Sequence, residues 1–212
     1  MDQSAKVPPV KSVRRPSGEE RKREILEAAE RTFGRAGYWS ATTAQIAAAV
    51  GITQPALYRY FPSKRQLFIE AVALRQSELE GRIIEAVAGG GTALDKLRRL
   101  SRSTTAYALE HPDMARLRIQ AVAVAAQDEE IRDGVNATLD ALIGGHERLL
   151  TAAVEEGSIE APPDIHSAAC SIAGMAFLLY VALSTEHEMA QAGVVERTME
   201  GFLRVLARDT GS

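Results

Sequence analysis

Between Gln54 and Tyr60 the chain reads QPALYRY, and five of its side chains, Gln54, Ala56, Tyr58, Arg59 and Tyr60, suit the edges and backbone of a DNA duplex. Glutamine can bond adenine at two atoms and arginine can do the same at guanine. A small apolar group such as Ala56 or Pro55 can meet a thymine methyl. The competing reading is that Tyr58, Tyr60 and Phe61 are only the core aromatics of a small helical domain, and for each residue taken singly the two readings stand level. As a set at this spacing, beside the elements described next, they point to DNA.

Those groups must be held on a platform narrow enough for a major groove, and the flanking residues spell one out. Thr42 followed three residues later by Gln45 is a capping box, in which each side chain satisfies a backbone N–H left orphaned at a helix start. Ile46, Ala47 and Val50 form the apolar stripe of a two-turn helix, which Gly51 ends. Thr53 caps a second helix, Pro55 sits in its first turn, and Leu57 and Phe61 fall one turn apart as inward anchors. Two short helices joined through a glycine turn are the helix-turn-helix arrangement.

The run resembles the DNA-binding domain of TetR-family transcriptional regulators, whose pattern is T-T-x-x-I-A followed by G-V/I-x-x-x-x-L-Y-x-Y/H-F-x-x-K-x-x-L. Here it reads Thr42-Thr43, Ile46-Ala47, Gly51-Ile52, Leu57-Tyr58, Tyr60-Phe61, Lys64 and Leu67. The resemblance covers about residues 18–68. It implies that Thr43, Tyr58, Tyr60 and Lys64 grip phosphates while Gln54, Pro55 and Arg59 face bases. Some members place a base-reading arginine just after the second threonine, where this chain has Ala44. With the two cap residues, the candidate DNA-contacting set is Thr42, Thr43, Thr53, Gln54, Pro55, Ala56, Tyr58, Arg59, Tyr60 and Lys64.

The net charge of −3 on 212 residues conceals an electrical split. Residues 1–64 hold 11 Lys+Arg against 6 Asp+Glu, and the remainder holds 14 against 22, so a head of +5 precedes a body of −8. Such polarity turns the head toward a polyanion. Three parts are expected: a flexible basic arm over 1–16, a helix-turn-helix domain over 17–68, and a helical ligand-binding and dimerisation domain over 69–212. The arm, with Lys6, Lys11, Arg14 and Arg15 among three prolines, lacks the apolar content to fold and reads as a solvated tail or a minor-groove contact. Ser17 and Glu20 cap a supporting helix that runs to about Ala36, with Gly37 ending it. Of Tyr38 and Trp39, one plugs the head's core. Ser63 opens a helix to about Val87, roughly 36 Å long, and in TetR-like proteins this helix links the head mechanically to the body.

No strand pattern appears beyond this point, so the fold class is all-α. Gly89-Gly90-Gly91 reads as a joint, followed by helices over about 92–109, 113–126, 128–156, 164–184 and 194–208. The apolar run from Ala168 to Leu183 is shorter than the roughly 20 residues that span a bilayer and reads as a buried helix, with no membrane partner. Its Ala169, Ala173, Ala176 and Leu183, with Phe202 and Leu206, are the expected homodimer face, in a two-fold helix-pair interface of the kind the resemblance also implies. Tyr107, His111, Met114, Arg118, Met175, Phe177 and Tyr180 are residue types that line a mostly apolar pocket and are the candidate contacts of a small-molecule effector.

Catalysis finds little to stand on. His146-Glu147 and His187-Glu188 open like a zinc-binding H-E-x-x-H, but Leu150 and Gln191 occupy the second histidine positions, and both read as surface pairs. His166 and Cys170, one turn apart, form a nucleophile and base only in outline, and a cysteine in an alanine-rich helix is ordinarily packing. A lone cysteine excludes an intrachain disulfide, and with no apolar run in residues 1–17 a cytoplasmic location is expected. The reading is therefore a non-enzymatic regulator without cofactor or metal. It binds a palindromic operator in double-stranded DNA as a homodimer and acts as a repressor released by an effector. The alternative is a DNA-binding module whose body binds a protein partner or no effector.

Overall fold

The computed structural model describes residues 17–207, Ala192 excepted, so the basic arm at 1–16 lies outside the described residues. The described residues form α1 (Gly18–Ser40), α2 (Thr43–Ala49), α3 (Gln54–Tyr58), α4 (Lys64–Ala73), α5 (Gln76–Ala88), α6 (Ala93–Glu110), α7 (Pro112–Ala125), α8 (Glu129–Glu155), α9 (Ile165–Thr185) and α10 (Val194–Leu206). Their only extended pairing is an isolated antiparallel bridge between Ile159 and Ala207. The chain is all-α.

Local chemistry starts these helices where the caps stand. Ser17 with Glu20, Thr42 with Gln45 and Thr92 with Asp95 each close a reciprocal capping box. Thr53, Ser63, Asp128 and Asp164 accept backbone N–H bonds at the starts of α3, α4, α8 and α9. Each cap satisfies donors that would otherwise be orphaned and contributes about 1 kcal/mol. Gly37 has φ +79°, a value open to glycine at little steric cost, and it breaks the axis of α1 before one more turn ends at Ser40.

Ile25, Phe33, Ile46, Leu57, Phe61, Leu67 and Phe68 fill the centre of the head, all fully buried. That core does not stop at the head, because Leu117, Ala121 and Val124 of α7 and Ile131 of α8 belong to the same cluster. Close approach of α1 to α7 is possible because Gly34 has no side chain: a Cβ there would sit 2.8 Å from the Asp113 carbonyl oxygen. A second core joins α6, α8, α9 and α10 through Leu97, Leu150, Ile172, Met199 and Leu203.

Two expectations need correction. The helix from Ser63 is not continuous to Val87; it turns at Leu74–Arg75, between α4 and α5. No glycine or proline marks the break. The Arg75 side chain is held by Glu30 of α1 at 3.0 Å and by Glu78, one turn further on, at 3.1 Å, so a tertiary ion pair and a local one meet at the elbow. And α9 is, by length and composition, long and apolar enough to cross a membrane. Its Ala169, Ile172, Leu179 and Leu183 are nevertheless buried inside this chain, as in a core helix.

Gly34→Ala is expected to force α1 and α7 apart and to destabilise the protein by about 1–3 kcal/mol. Gly81 lies within α5 with open space around it, so Gly81→Ala is expected to stabilise by about 0.5–1 kcal/mol. Denaturant melts of the two variants, run side by side, check both signs.

Candidate nucleic-acid interface

The glycine turn at Gly51, φ +67°, brings α3 across α2. Ile52 N–H donates to the Ala47 carbonyl at 3.0 Å, which closes the turn. With Leu57 and Phe61 pointing inward and Ile46 and Ala47 beneath them, the opposite face of α3 is left to solvent. Thr42, Thr53, Gln54, Pro55, Tyr58 and Arg59 are exposed, while Ala56, Tyr60 and Lys64 are half-buried. Tyr60 also packs on the head core, so its ring has a structural part as well.

Thr43 alone of the set is buried, and it is the hub of the surface. Its Oγ1 accepts a 2.7 Å bond from Gln54 Nε2 and lies 3.1 Å from the Tyr58 hydroxyl. One hydroxyl thus pins the first residue of α3 and its last to the start of α2. Sequence reasoning placed Thr43 among outward phosphate contacts and missed this second office, which depends on how α2 and α3 cross.

The head's cations divide by where they face. Arg21, Lys22, Arg23, Arg35 and Arg65 are engaged by carboxylates, most of them on α4, α5, α7 or α8. Arg31, Arg59 and Lys64 make no ion pair among the described residues. Lys64 Nζ instead donates to the Trp39 carbonyl at 3.3 Å and stands 4.8 Å from the Tyr38 ring centroid. Burial lowers its pKa from the ordinary lysine value. Tyr38 is the aromatic that packs inward, against Phe33 and Phe68, and Trp39 is exposed.

In the body, five of the seven candidate effector contacts gather around the elbow. Tyr107 and Met114 are buried against Leu79, with Tyr180 and Ile83 alongside. His111 stacks beside Tyr107 at 4.5 Å, and the Arg118 guanidinium lies 5.7 Å from the Tyr180 ring with its Nε buried and unpartnered. Tyr107 donates its hydroxyl proton to Glu78 at 2.8 Å. Burial pushes the Glu78 carboxyl up, but hydrogen bonds from Tyr107, Arg23 and Arg75 outweigh it and hold the pKa at about 2. Met175 and Phe177 do not join this group: Met175 packs on the second core and Phe177 points to solvent. Two surface hollows lie elsewhere. One, of about 170 Å³, is lined by Arg98, Arg102 and Arg197 between α6 and α10, and the other, of about 310 Å³, by Arg116, Leu183 and His187 at the end of α9.

Three further expectations meet the structure here. Of the expected dimer face, Ala169, Ala173 and Leu183 are buried in their own chain, and Ala176, Phe202 and Leu206 are half-buried. The apolar groups that α9 leaves exposed are Phe177 and Leu178, because the helix is rolled with its alanine face inward. His146 is no surface residue: it is buried, its Nδ1 lies 2.8 Å from the Leu142 carbonyl, and burial lowers its pKa. His166 is exposed between Glu147, 2.6 Å from its Nδ1, and Cys170, whose Sγ is 3.5 Å from its Nε2. Neither hollow is lined by these three residues.

Fold and interface together define a helical protein with an amino-terminal helix-turn-helix head. Residues 25–71 match the family described as bacterial regulatory proteins, tetR family. Among curated proteins it is similar to the nucleoid occlusion factor SlmA of Vibrio cholerae, 32% identical over 117 residues, and to that of Vibrio vulnificus, 31% identical over the same length. These matches span 55% of this chain and 59% of the relatives. The fold is shared with a Saccharomonospora viridis protein solved with choline, at TM-score 0.77 and 20% identity, over 88% of this chain and 96% of that one. It is shared also with AibR, solved with isovaleryl coenzyme A and operator DNA, at TM-score 0.72 and 23% identity, over 89% and 98%.

The joint between head and body carries a pH signature. Arg65 of α4 donates two bonds to Asp128, of 2.6 and 2.8 Å, at the cap of α8. Hydrogen bonding from Arg65 holds the Asp128 pKa at about 2, below the roughly 3.9 of an unfolded aspartate. A depressed folded pKa stabilises above the unfolded value and loses that contribution as pH falls through the folded one. Asp128→Asn keeps an amide able to cap α8. Its stability deficit is expected to be constant from neutral pH to about pH 5 and to shrink toward pH 2, as read from denaturant melts along that range.

Proposed function

We propose that this protein is a sequence-specific transcriptional regulator, more particularly a repressor, that reads a palindromic operator as a homodimer and is released by a small-molecule effector. The observation that carries the reading is the outer face of α3, where Gln54, Pro55, Tyr58 and Arg59 stand exposed on a helix anchored from behind by Leu57 and Phe61. In this reading Gln54, Pro55 and Arg59 meet base edges, and Thr42, Thr43, Thr53, Tyr58, Tyr60 and Lys64 fix the register on phosphates, with Ala56 available to a thymine methyl. Tyr58 and Gln54 exchange their bonds to Thr43 for bonds to the duplex, or keep them and bind with what remains. Arg59 is already uncommitted.

A two-fold dimer sets two such helices about 34–36 Å apart, in successive major grooves of one duplex face. Phe177 and Leu178 on α9 and Leu139 on α8 are apolar groups left exposed on the two long helices that such an interface would cover. Release of DNA requires an effector that binds the released arrangement more tightly, and a tenfold loss of affinity takes about 1.4 kcal/mol of coupling. The elbow supports a route: Tyr107, one of the candidate effector contacts, bonds Glu78, which holds Arg75, which holds Glu30 in the head helix. The regulator works where DNA is, in the cytoplasm.

A second reading, in which the body binds a protein partner or no effector, has one observation in its favour. Tyr107 and Met114 are packed shut, and the two hollows described lie away from them. The name of the SlmA relatives, nucleoid occlusion factor, describes a role other than simple repression.

Selection of bound duplexes from a random pool at near-physiological salt is expected to enrich a two-fold palindrome. Failure to enrich, with folded dimeric protein, moves the second reading to the front. On the selected site, Arg59→Ala is expected to relax preference at one position per half-site at a cost of about 1–3 kcal/mol. Lys64→Ala should weaken all sequences alike and reduce the salt slope by about 1. Identical behaviour of the two variants would sink the division of labour.

A further inference from the structure

Trp39 is 65% exposed, in a head whose other large apolar side chains are mostly buried. An exposed ring of this size gains by being covered, and tryptophan is among the residue types enriched where a few side chains dominate an interface. The fold does not lack an aromatic slot beside it, but Tyr38 occupies that slot, its ring 4.8 Å from Phe68 and 5.9 Å from Phe33. Gly37, with φ +79°, turns the chain so that consecutive aromatics take opposite sides, Tyr38 in and Trp39 out.

The outward ring is nonetheless held. It stands edge to face on Tyr38, with centroids 4.9 Å apart and planes at 78°, and its carbonyl accepts from Lys64 Nζ at 3.3 Å. Three residues on, Thr42 caps α2. Trp39 therefore sits at the corner where the start of α2 and the start of α4 meet, beside a cation that makes no ion pair among the described residues, in the positively charged part of the chain. An indole offers an apolar face and a single N–H donor with no acceptor. A sugar–phosphate strand offers deoxyribose carbons and acceptor oxygens, and a carboxylate-rich surface of the same charge would lack the first.

We propose that Trp39 contacts the DNA backbone at the edge of the half-site, its ring against deoxyribose and its Nε1–H donating to a phosphate oxygen, next to Lys64. The inference rests on the reading of the head as a DNA-binding surface. A backbone contact fixes register and adds affinity without choosing bases. Because the indole is uncharged it displaces no counterion, so it differs from Lys64 in leaving the salt dependence alone.

Trp39 is the chain's single tryptophan, so its emission reports this position without substitution. The full-length protein is titrated with a labelled mixed-sequence duplex long enough for two successive major grooves, at low salt. Duplex anisotropy and acrylamide quenching of the tryptophan are followed together. The expected result is a rise in anisotropy with Trp39 protected from acrylamide, and with Trp39→Ala binding about tenfold more weakly at an unchanged salt slope. Binding that leaves Trp39 as open to acrylamide as in the free protein overturns the inference and spares the DNA-binding reading, and so does full affinity in Trp39→Ala. Lost affinity without protection marks a structural effect and also overturns it. Protection that rises with protein concentration before any DNA is added means that a second copy covers the ring, which overturns the backbone contact in the same way. Absence of any anisotropy change in the unsubstituted protein overturns both readings.

Discussion

A carboxylate at 4% exposure, Glu30, sits on the buried face of α1, and the arrangement of the rest follows from the need to answer it. A buried charge without a partner is among the most costly things a fold can contain, and removal of one member of such a pair costs about 3–5 kcal/mol. Burial pushes the Glu30 carboxyl above the ordinary range, and Arg75, 3.0 Å away, pulls it part of the way back. To deliver that guanidinium, the chain must bring residue 75 to α1, and it does so by turning at Leu74–Arg75. The elbow between α4 and α5 is thus a consequence of the charge on α1. Arg75 then binds Glu78, Glu78 accepts from Tyr107, and Arg23 returns from α1 to Glu78 at 2.6 Å. Head, elbow and body share one network.

Such a network resists small displacements, because each member leaves another unsatisfied when it moves. The apolar contact beside it resists them too. Gly34 lets α1 lie against α7 at backbone distance, and the head core runs on into Leu117, Ala121 and Val124. A head fused to α7 in this way moves with α7, and α4, whose Leu67, Phe68 and Ala71 lie in the same core, moves with them. Relative movement within this part of the chain has to be a rigid movement of packed units, since the interior between them is close-packed.

Much of the head was legible because its signals are local. Ser17–Glu20 and Thr42–Gln45 close the capping boxes that their spacing announces, and Leu57 and Phe61 are inward where their one-turn spacing puts them. What was not legible arises from contacts far apart in sequence. The break at Leu74–Arg75 carries no glycine or proline, because a glutamate 45 residues away makes it. On α9, small and apolar residues occur on every side, so periodicity could not choose which face turns inward, and Phe177 with Leu178 remained outside in place of Ala169 and Ala173. His146 looked like half of a surface pair, yet a histidine that gives its Nδ1 to a carbonyl one turn back can be buried as a neutral ring. Thr43 is the instructive middle case: its type suits a phosphate, but its hydroxyl also locks Gln54 and Tyr58, which only the crossing of α2 and α3 reveals.

The body poses the opposite difficulty. Five of its seven candidate effector contacts lie together, with Met175 and Phe177 elsewhere, but Tyr107 and Met114 are packed against Leu79, and the orphaned Arg118 Nε lies in the same neighbourhood. An unpaired buried donor costs about 1–3 kcal/mol, which a ligand with an acceptor oxygen would recover on binding. Tyr107 is meanwhile committed to Glu78, which also accepts from Arg75 and Arg23, so a group that took the place of its hydroxyl would have to offer Glu78 another donor. Residue types alone could suggest an apolar pocket here, but the packing ties the same side chains into the network that joins body and head, and no spacing along the chain announces that.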